Sequence, residues 1–487
     1  MQPEYIFETS WEVCNRVGGI YAVLSTRAAS MQKEHKDKVI FFGPDFGEHS
    51  NLTFKESKTL LKGWRPQGVR VGRWQVPGKP IAVLLKWDEV WTHKNEIYGH
   101  AWEKYGVQSH AAYGDYDESN MFAYAVGQLA ESLYNYLGQP STVMHCNEWQ
   151  TAFTILYLKE HCPKIGTLFT THATGIGRSI AGNYKPLYDY FEGYNGDQMA
   201  QELNMVSKHS VEKTAAHQAD CFTTVSEITA RECKQLLDKP VDIVTPNGFE
   251  QEFVPKGEAF DAARKTARKA LIQHAKNLGF DVKSTDLLVG TAGRYEWKNK
   301  GIDVFLEAMR QLGNHANDKK QVVAFVMIPY LEQANFSVGN VHVIFVPTYL
   351  NGNDGVLNLP YYNLLIGLDL TVFPSYYEPW GYTPLESMAF HVPTITTSLS
   401  GYGAWCEQQG STTIDKGVAV IPRNDSNYHE VVNSIVEIIK TYLAMKPKQI
   451  AATREAAVEL ALKAEWQHFF CHYREAYTIA LKKSLVR

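Results

Sequence analysis

Leu287-Leu288-Val289-Gly290-Thr291 is a short apolar run, and it leads into Gly293-Arg294-Tyr295-Glu296-Trp297-Lys298-Asn299-Lys300-Gly301. An unbroken apolar run of this length, without polar alternation, suits a strand covered on both faces, as in a parallel sheet. Runs of the same kind recur on either side. Upstream stand Tyr5–Phe7, Val39–Phe42, Ile81–Leu85, Val143–Cys146, Thr167–Thr171 and Cys221–Val225. Downstream stand Val322–Ile328, Val341–Val346, Leu370–Phe373, Thr394–Thr397 and Val418–Ile421. A charged helical segment, Ala259 to Ala275, separates the two series, and helical patterns between the strands supply the crossovers. Two series of about six strands predict an α/β protein with two doubly wound domains. Thr245-Pro246-Asn247-Gly248 punctuates the end of the first series. The domains are therefore read as 1–247 and 248–463. The aromatic-rich helical pattern over 464–487 is expected to be a closing helix that crosses back to the first domain. In such sheets the ligand sits outside the carboxyl ends of the strands, so two domains facing each other imply a deep cleft.

The composition is that of an ordinary globular chain. Its 487 residues carry 48 Lys+Arg against 52 Asp+Glu, a net charge of −4, with 45% hydrophobic residues. That balance argues against a dedicated nucleic-acid binder, and the charge and apolar content argue against disorder. The first twelve residues lack a basic-then-apolar pattern, so no secretory leader is expected. The most apolar stretch, Val356 to Pro374, is interrupted by Asn358, Pro360, Asn363 and Asp369, which excludes a membrane span. The seven cysteines are scattered and never form a C-x-x-C pair. Reduced thiols in a cytoplasmic protein, with no zinc site, are the simplest expectation.

The stretch after Leu370–Phe373 carries the most chemistry: Ser375-Tyr376-Tyr377-Glu378-Pro379-Trp380-Gly381-Tyr382-Thr383-Pro384-Leu385-Glu386. Pro suits a first helical turn, so a helix is expected from Thr383-Pro384. The amides of Gly381, Tyr382 and Thr383 would then point out of its N-terminus, where they can hold a phosphate or sugar hydroxyls. Glu378 and Glu386 flank that place, and carboxylates are natural acceptors for vicinal hydroxyls. Acids at helix N-termini are also common caps, so that plainer reading stands beside the functional one. In the Gly293–Gly301 loop, Arg294 and Lys300 would emerge at the carboxyl edge of the sheet. Two fixed cations suit a diphosphate and the charge that grows as it leaves, although a solvated basic loop would look similar. Val17-Gly18-Gly19-Ile20 follows the first strand and opens a helix; it serves either a backbone N–H cluster near a ligand or tight strand–helix packing. Thr170-Thr171-His172-Ala173-Thr174-Gly175-Ile176-Gly177-Arg178 ends a strand of the first domain, and His145-Cys146-Asn147-Glu148-Trp149-Gln150 ends the one before it in the same way. A lone His is more often structural, but His172 sits at a strand's carboxyl end with Arg178 close behind.

Together these residues resemble the glycogen synthases of the animal and fungal type. The resemblance lies in Glu12-Val13-Cys14-Asn15-Arg16-Val17-Gly18-Gly19-Ile20-Tyr21, in His172 to Arg178, in Thr245 to Gly248, in Arg294 to Glu307 and in Pro374 to Gly403. It implies two Rossmann-like domains of the GT-B type, and transfer of glucose from UDP-glucose to the 4-hydroxyl of an α-1,4-glucan end with retention of configuration. It implies no metal or other cofactor, and glycogen as partner rather than nucleic acid or membrane. Glu378, Trp380 and the Gly381, Tyr382 and Thr383 amides would hold the donor glucose, and Glu386 the ribose. Arg294 and Lys300 would bind the diphosphate, and Tyr361 would stack on the uracil. His172 would contact the transferred sugar and Arg178 the phosphate or acceptor side. Arg16, Gly18, Gly19 and Asn247 would complete the donor site, while Asp117, His145 and Glu148 are acceptor-side positions. Retention would follow from front-face substitution, with the departing phosphate oxygen taking the acceptor proton; a covalent route through a carboxylate stays open.

The chain departs from the family in length. Residues 295–377, 83 of them, separate Arg294 from Glu378, which leaves no room for the family's long tetramer-forming insertion. Over 444–465 only Arg454 stands where an arginine cluster sensing glucose 6-phosphate would be. A short, unregulated, bacterial form with an open oligomeric state is therefore expected. Three alternatives remain: an ADP-glucose-dependent starch or glycogen synthase or other retaining α-glucosyltransferase, a non-catalytic sugar-nucleotide or glycan binder, and a dinucleotide-dependent dehydrogenase. The first usually carries Lys before the glycine pair, where Arg16-Val17 stands, and the last lacks its G-x-G-x-x-G.

Overall fold

The computed structural model describes residues 2–314 and 320–486. They form two compact units: one runs to Ile180, resumes over Tyr190–Gly248 and takes up the chain again from Trp466; the other holds Ala181–Asp189 and Phe249–Glu465.

The first unit is built on a sheet of β1 (Tyr5–Thr9), β2 (Val39–Pro44), β3 (Phe54–Glu56), β4 (Val69–Trp74), β5 (Ile81–Leu85), β6 (Thr142–Asn147), β7 (Gly166–Thr171), β8 (Cys221–Thr224) and β9 (Ile243–Val244). Their order is β3-β4-β5-β2-β1-β6-β7-β8-β9. From β5 to β9 every pairing is parallel; β4 joins β5, and β3 joins β4, antiparallel. The second unit contains β10 (Leu287–Ala292), β11 (Val322–Met327), β12 (Phe336–Val338), β13 (Val341–Phe345), β14 (Leu370–Val372), β15 (Thr394–Thr397) and β16 (Val418–Ile421), ordered β12-β13-β11-β10-β14-β15-β16. All pairings are parallel except the β12–β13 hairpin. Both series expected from the apolar runs are present, and the α/β doubly wound class holds.

The reason is burial. Every residue of β2, β5, β6, β7 and β8 is buried, as are all of β11 and β14 through β16. Helices cover both faces, so no position in these strands needs a polar side chain. The strands that the apolar runs miss are those that break this rule. In β4, Val-Arg-Val-Gly-Arg-Trp alternates because the strand is antiparallel and partly exposed; β3, β9 and β12 are only two or three residues long. In each sheet the order reverses once, between β1 and β6 and between β10 and β14, and open α/β sheets bind ligands at such switch points.

The helix Trp466–Leu485 returns to the first unit. Trp466 Nε1 donates to Thr26 Oγ1 at 2.8 Å, and the Tyr473 ring lies 4.3 Å from the Arg27 guanidinium carbon. In the second unit, residues 181–189 are held against the Glu378 stretch. The Leu187 amide donates to the Tyr376 hydroxyl at 3.1 Å, and the Tyr188 amide to Asp425 at 3.0 Å, while Tyr376 itself bonds Asp425. Among the described residues no helix is long and apolar enough to cross a membrane.

Asp369 stitches the second unit together. One oxygen accepts from Arg264 and Arg268 of helix Glu258–Asn277, each at 2.8 Å, and the other accepts the Leu288 amide of β10 at 2.9 Å. Asp369→Ala would leave two arginines facing each other across the gap. A loss of about 2–4 kcal/mol is expected, from the charge-assisted bonds removed and the cations left unpaired. A thermal melt read by circular dichroism checks this, and an unchanged midpoint would show the clamp to be dispensable.

Candidate active site

The candidate ligand-binding groups lie at the carboxyl rims of both sheets. In the first unit the rim starts after β1. Gly18 is the extended N-cap of helix Gly19–His35. Its amide does not await a ligand: Glu12 Oε2 accepts from Gly18 at 2.6 Å and from Tyr21 at 2.9 Å. Glu12, buried, thus satisfies the helix N-terminus that the glycine pair opens. Gly19 faces open space, since a Cβ there would meet nothing within 4 Å. Arg16 is exposed, with its guanidinium carbon 5.7 Å from the Tyr21 ring.

After β6 and β7 the rim is dense with titratable groups. The Glu148 carboxylate accepts the His172 amide at 2.7 Å, and His172 Nε2 lies 3.0 Å from Asn147 Oδ1. Glu212 accepts the Gly175 amide at 2.9 Å and the Thr171 hydroxyl, and Glu232 accepts the Thr174 hydroxyl at 2.6 Å. Three carboxylates thus support the 171–177 turn, and the Arg178 charge, from the helix Gly175–Gly182, opposes those of Glu148 and Glu212. Burial, and then the neighbouring carboxylate, push Glu148 and Glu212 above the usual carboxyl range. Burial, with His145 and Arg27 nearby, pushes the His172 imidazole down to about 3. His145 is fully buried within β6, its Nε2 2.7 Å from the Thr170 hydroxyl. Asp117 lies in helix Tyr116–Tyr136, tied to Lys94 at 2.8 Å and to the Tyr98 hydroxyl at 2.7 Å. Asn247 is buried and its Oδ1 accepts no hydrogen bond from the described residues.

In the second unit two loops are locked to one another at the β10–β14 switch point. Gly301, at φ +66, approaches the loop after β14 so closely that a Cβ would lie 2.0 Å from the Pro374 oxygen. The Asn299 carbonyl accepts both the Tyr376 and Tyr377 amides, at 2.9 and 3.1 Å. This latch sets the Lys300 ammonium on the Glu378 carboxylate, both largely buried. Arg294 projects from the same loop, 58% exposed and 2.9 Å from Glu296. Glu378 is braced from behind, where its carbonyl accepts the Gly401 amide at 3.0 Å. Trp380 is buried and packs edge-on against Tyr402. Gly381, at φ +107, caps helix Tyr382–Ala389, and Tyr382 and Thr383 form its first turn. Glu386, on that helix, accepts the Tyr362 hydroxyl at 2.6 Å, and the adjacent Tyr361 hydroxyl is buried without a partner among the described residues.

A family model described as glycogen synthase matches residues 8–341 and 332–486. The chain belongs to the glycogen synthase family. It is 27% identical to glycogen [starch] synthase isoform 2 of Saccharomyces cerevisiae, over 99% of this chain and 87% of that protein. It is 24% identical to the human liver glycogen [starch] synthase, over 98% and 84% of the two chains. Among solved structures, the catalytic domain of Arabidopsis thaliana starch synthase IV bound to ADP and acarbose superposes with a TM-score of 0.64 at 17% identity, covering 98% of this chain and 99% of that one. Sucrose-phosphate synthase from Thermosynechococcus elongatus gives 0.56 at 16%, over 100% and 98%. The protein is thus a glycosyltransferase with the GT-B fold.

Within this family member, several groups that shape the rims went unread in the sequence: Glu8, Glu12, Arg27, Asn147, Glu212, Glu232 and Asn299. Glu8 and Arg27 left a signal, a charge inside or beside an apolar run. Glu212 and Glu232 lie on helices remote in sequence from the turn they support.

Gly301→Ala should place Cβ against the Pro374 carbonyl in a strained conformation and force the Lys300 loop away from Glu378. Turnover should fall by about tenfold or more, as a displacement of catalytic groups by an ångström would do. Unaltered kinetics would mean that the latch does not hold the site. The carboxylate cluster predicts a pH effect. The unfolded glutamates release their protons near about 4.3, whereas Glu148 and Glu212 keep theirs when folded. The folded state therefore binds more protons above that pH, and this contribution to stability shrinks as pH rises towards their raised values. Glu212→Gln should gain melting temperature relative to wild type between about pH 5 and 8. A parallel pair of melting curves across that range would remove the assignment.

Proposed function

We propose that the protein transfers glucose from UDP-glucose to the non-reducing end of an α-1,4-glucan, with retention at the anomeric carbon. The observation that carries this reading is the latched Lys300–Glu378 pair at the switch point of the second unit. A cation and a carboxylate fixed side by side suit a donor whose two ends differ: diphosphate for Lys300 and Arg294, sugar hydroxyls for Glu378. Glu386 would receive the ribose hydroxyls and Tyr361 would stack on the base. The buried, unbonded Asn247 Oδ1 and Tyr361 hydroxyl fit groups that await a ligand. His172, which like Gly19 follows a strand of the first sheet, would contact the transferred sugar, and Arg178 the phosphate. Gly18 would shape the loop rather than bind, since its amide is taken by Glu12.

In the reaction the bond from C1 to the diphosphate oxygen breaks and that from C1 to the acceptor O4 forms on the same face. The acceptor proton passes to the departing phosphate oxygen. Lys300 and Arg294 stabilise the negative charge that develops there, so the reading needs no metal. Glu148 would fit the acceptor side, and a cytoplasmic setting would keep the free thiols reduced. A second reading, ADP-glucose as donor, is favoured by the ADP-bound starch synthase among the structural neighbours. Arg16 before the glycine pair weighs towards UDP-glucose.

Radiolabelled UDP-glucose and ADP-glucose, offered in parallel with glycogen, decide the donor. Clear preference for ADP-glucose transfers the assignment to the second reading, and donor binding without elongation would leave only a binding protein. Lys300→Ala should lower kcat by about 10²–10³-fold with the melting curve little changed, as expected for one lost transition-state contact. Near-normal turnover would show the diphosphate assignment to be wrong.

A further inference from the structure

Beneath His172 lies a group of charges that the reaction above does not use. Glu8 on β1 and Arg27 on helix Gly19–His35 are both fully buried and paired. Arg27 is enclosed by the aromatic face of the closing helix, 4.3 Å from the Tyr473 ring and 5.8 Å from that of Trp466. Such a pair is costly to desolvate and contributes little net stability, so its worth has to be sought elsewhere. Glu8 Oε1 also accepts from Asn147 Nδ2 at 3.0 Å, and the Thr9 carbonyl takes the same amide nitrogen at 3.2 Å. Reversing the Asn147 amide would set its oxygen against a carboxylate and a carbonyl. The network therefore fixes the nitrogen inward and the oxygen outward. That oxygen has no hydrogen to give, so the atom 3.0 Å from it, His172 Nε2, must carry one.

We propose that Asn147, anchored by the Glu8–Arg27 pair, is a positioning residue that fixes His172 as a neutral imidazole with its proton on Nε2 and a bare Nδ1. Among the described residues His172 bonds through its backbone amide and Nε2, and Nδ1 takes part in neither. It is left as an acceptor for a hydroxyl, which rests on the reading that His172 meets the transferred sugar. His145 also meets the pair: its Nδ1 lies 3.3 Å from Glu8 Oε1, while its Nε2 faces Thr170, whose hydroxyl lies 2.7 Å from that of Thr223. Without Asn147 the His172 ring would choose between its two neutral tautomers, only one of which presents an acceptor at Nδ1.

The test uses the full chain labelled with ¹⁵N-histidine, with the His172 ring identified by its loss in His172→Gln. Nitrogen shifts and ring couplings report which nitrogen is protonated. Wild type should show Nε2–H alone near neutral pH. In Asn147→Ala both tautomers should be populated, and kcat should fall about tenfold with the donor KM nearly unchanged. Thr170→Val, which removes the hydroxyl facing His145 Nε2 and none of the groups that Asn147 contacts, should leave the His172 proton in place. Glu8→Gln should loosen the tautomer as Asn147→Ala does; should it fail to fold around an unpaired Arg27, Asn147→Ala decides alone. A wild-type His172 protonated on Nδ1, or an Asn147→Ala protein with the wild-type tautomer and kcat, would overturn the proposal. Normal transfer by His172→Gln would instead remove the role of His172 in the reaction while leaving the tautomer result standing.

Discussion

A parallel sheet covered on both faces has almost nowhere to put a charge, and that constraint organises the whole molecule. Strands such as β6, β7 and β14 are buried at every position, so polar chemistry is confined to the rim where the strands end. At the rim the backbone amides of the following turns and helices emerge unpaired. Side chains from distant segments then compete with ligands for those amides. Glu12 wins the amides of Gly18 and Tyr21, and Glu148 and Glu212 take those of His172 and Gly175. Such internal acceptors shape loops that would otherwise be mobile, and they restrict ligand binding to the groups they leave over.

The rims of the two units solve the problem of charge in different ways. In the second unit a cation and a carboxylate, Lys300 and Glu378, neutralise each other. On the proposed reading, an incoming diphosphate would replace the carboxylate as partner of the lysine without the loop having to form first, because Gly301 and the Asn299 carbonyl hold it. Preorganisation of that kind spares the transition state the cost of ordering its own stabilising charge. In the first unit three carboxylates crowd around one turn; burial pushes Glu148 and Glu212 up, and the Arg178 charge opposes that shift.

The sequence was legible where burial is two-sided. Each central strand reads as an apolar run, and the loops after β10 and β14 stand out because charged and glycine residues follow such runs at once. It was not legible where partners come from elsewhere in the chain. Nothing near Gly18 says that Glu12 folds back onto its amide, and the alternation in β4 reflects an antiparallel edge that no neighbouring segment announces. The instructive miss is β1. The apolar run ends at Phe7 because Glu8 is charged, yet the strand continues to Thr9 with Glu8 fully buried. Arg27, nineteen positions later in the next helix, and the Asn147 amide from β6 make that burial possible.

That exception to the rule of apolar strands has a structural consequence. An isoleucine in place of Glu8 and a methionine in place of Arg27 would fill the same core with less desolvation. They would, however, leave Asn147 with only a carbonyl to define its orientation, and the imidazole beyond it with no fixed proton. A buried charge differs from an apolar side chain in being directional: it specifies which atom of its neighbour must face it. Passed from Arg27 to Glu8, to Asn147 and to His172, that directionality carries orientation from the fully enclosed core, where geometry is most rigid, to the rim, where chemistry needs it.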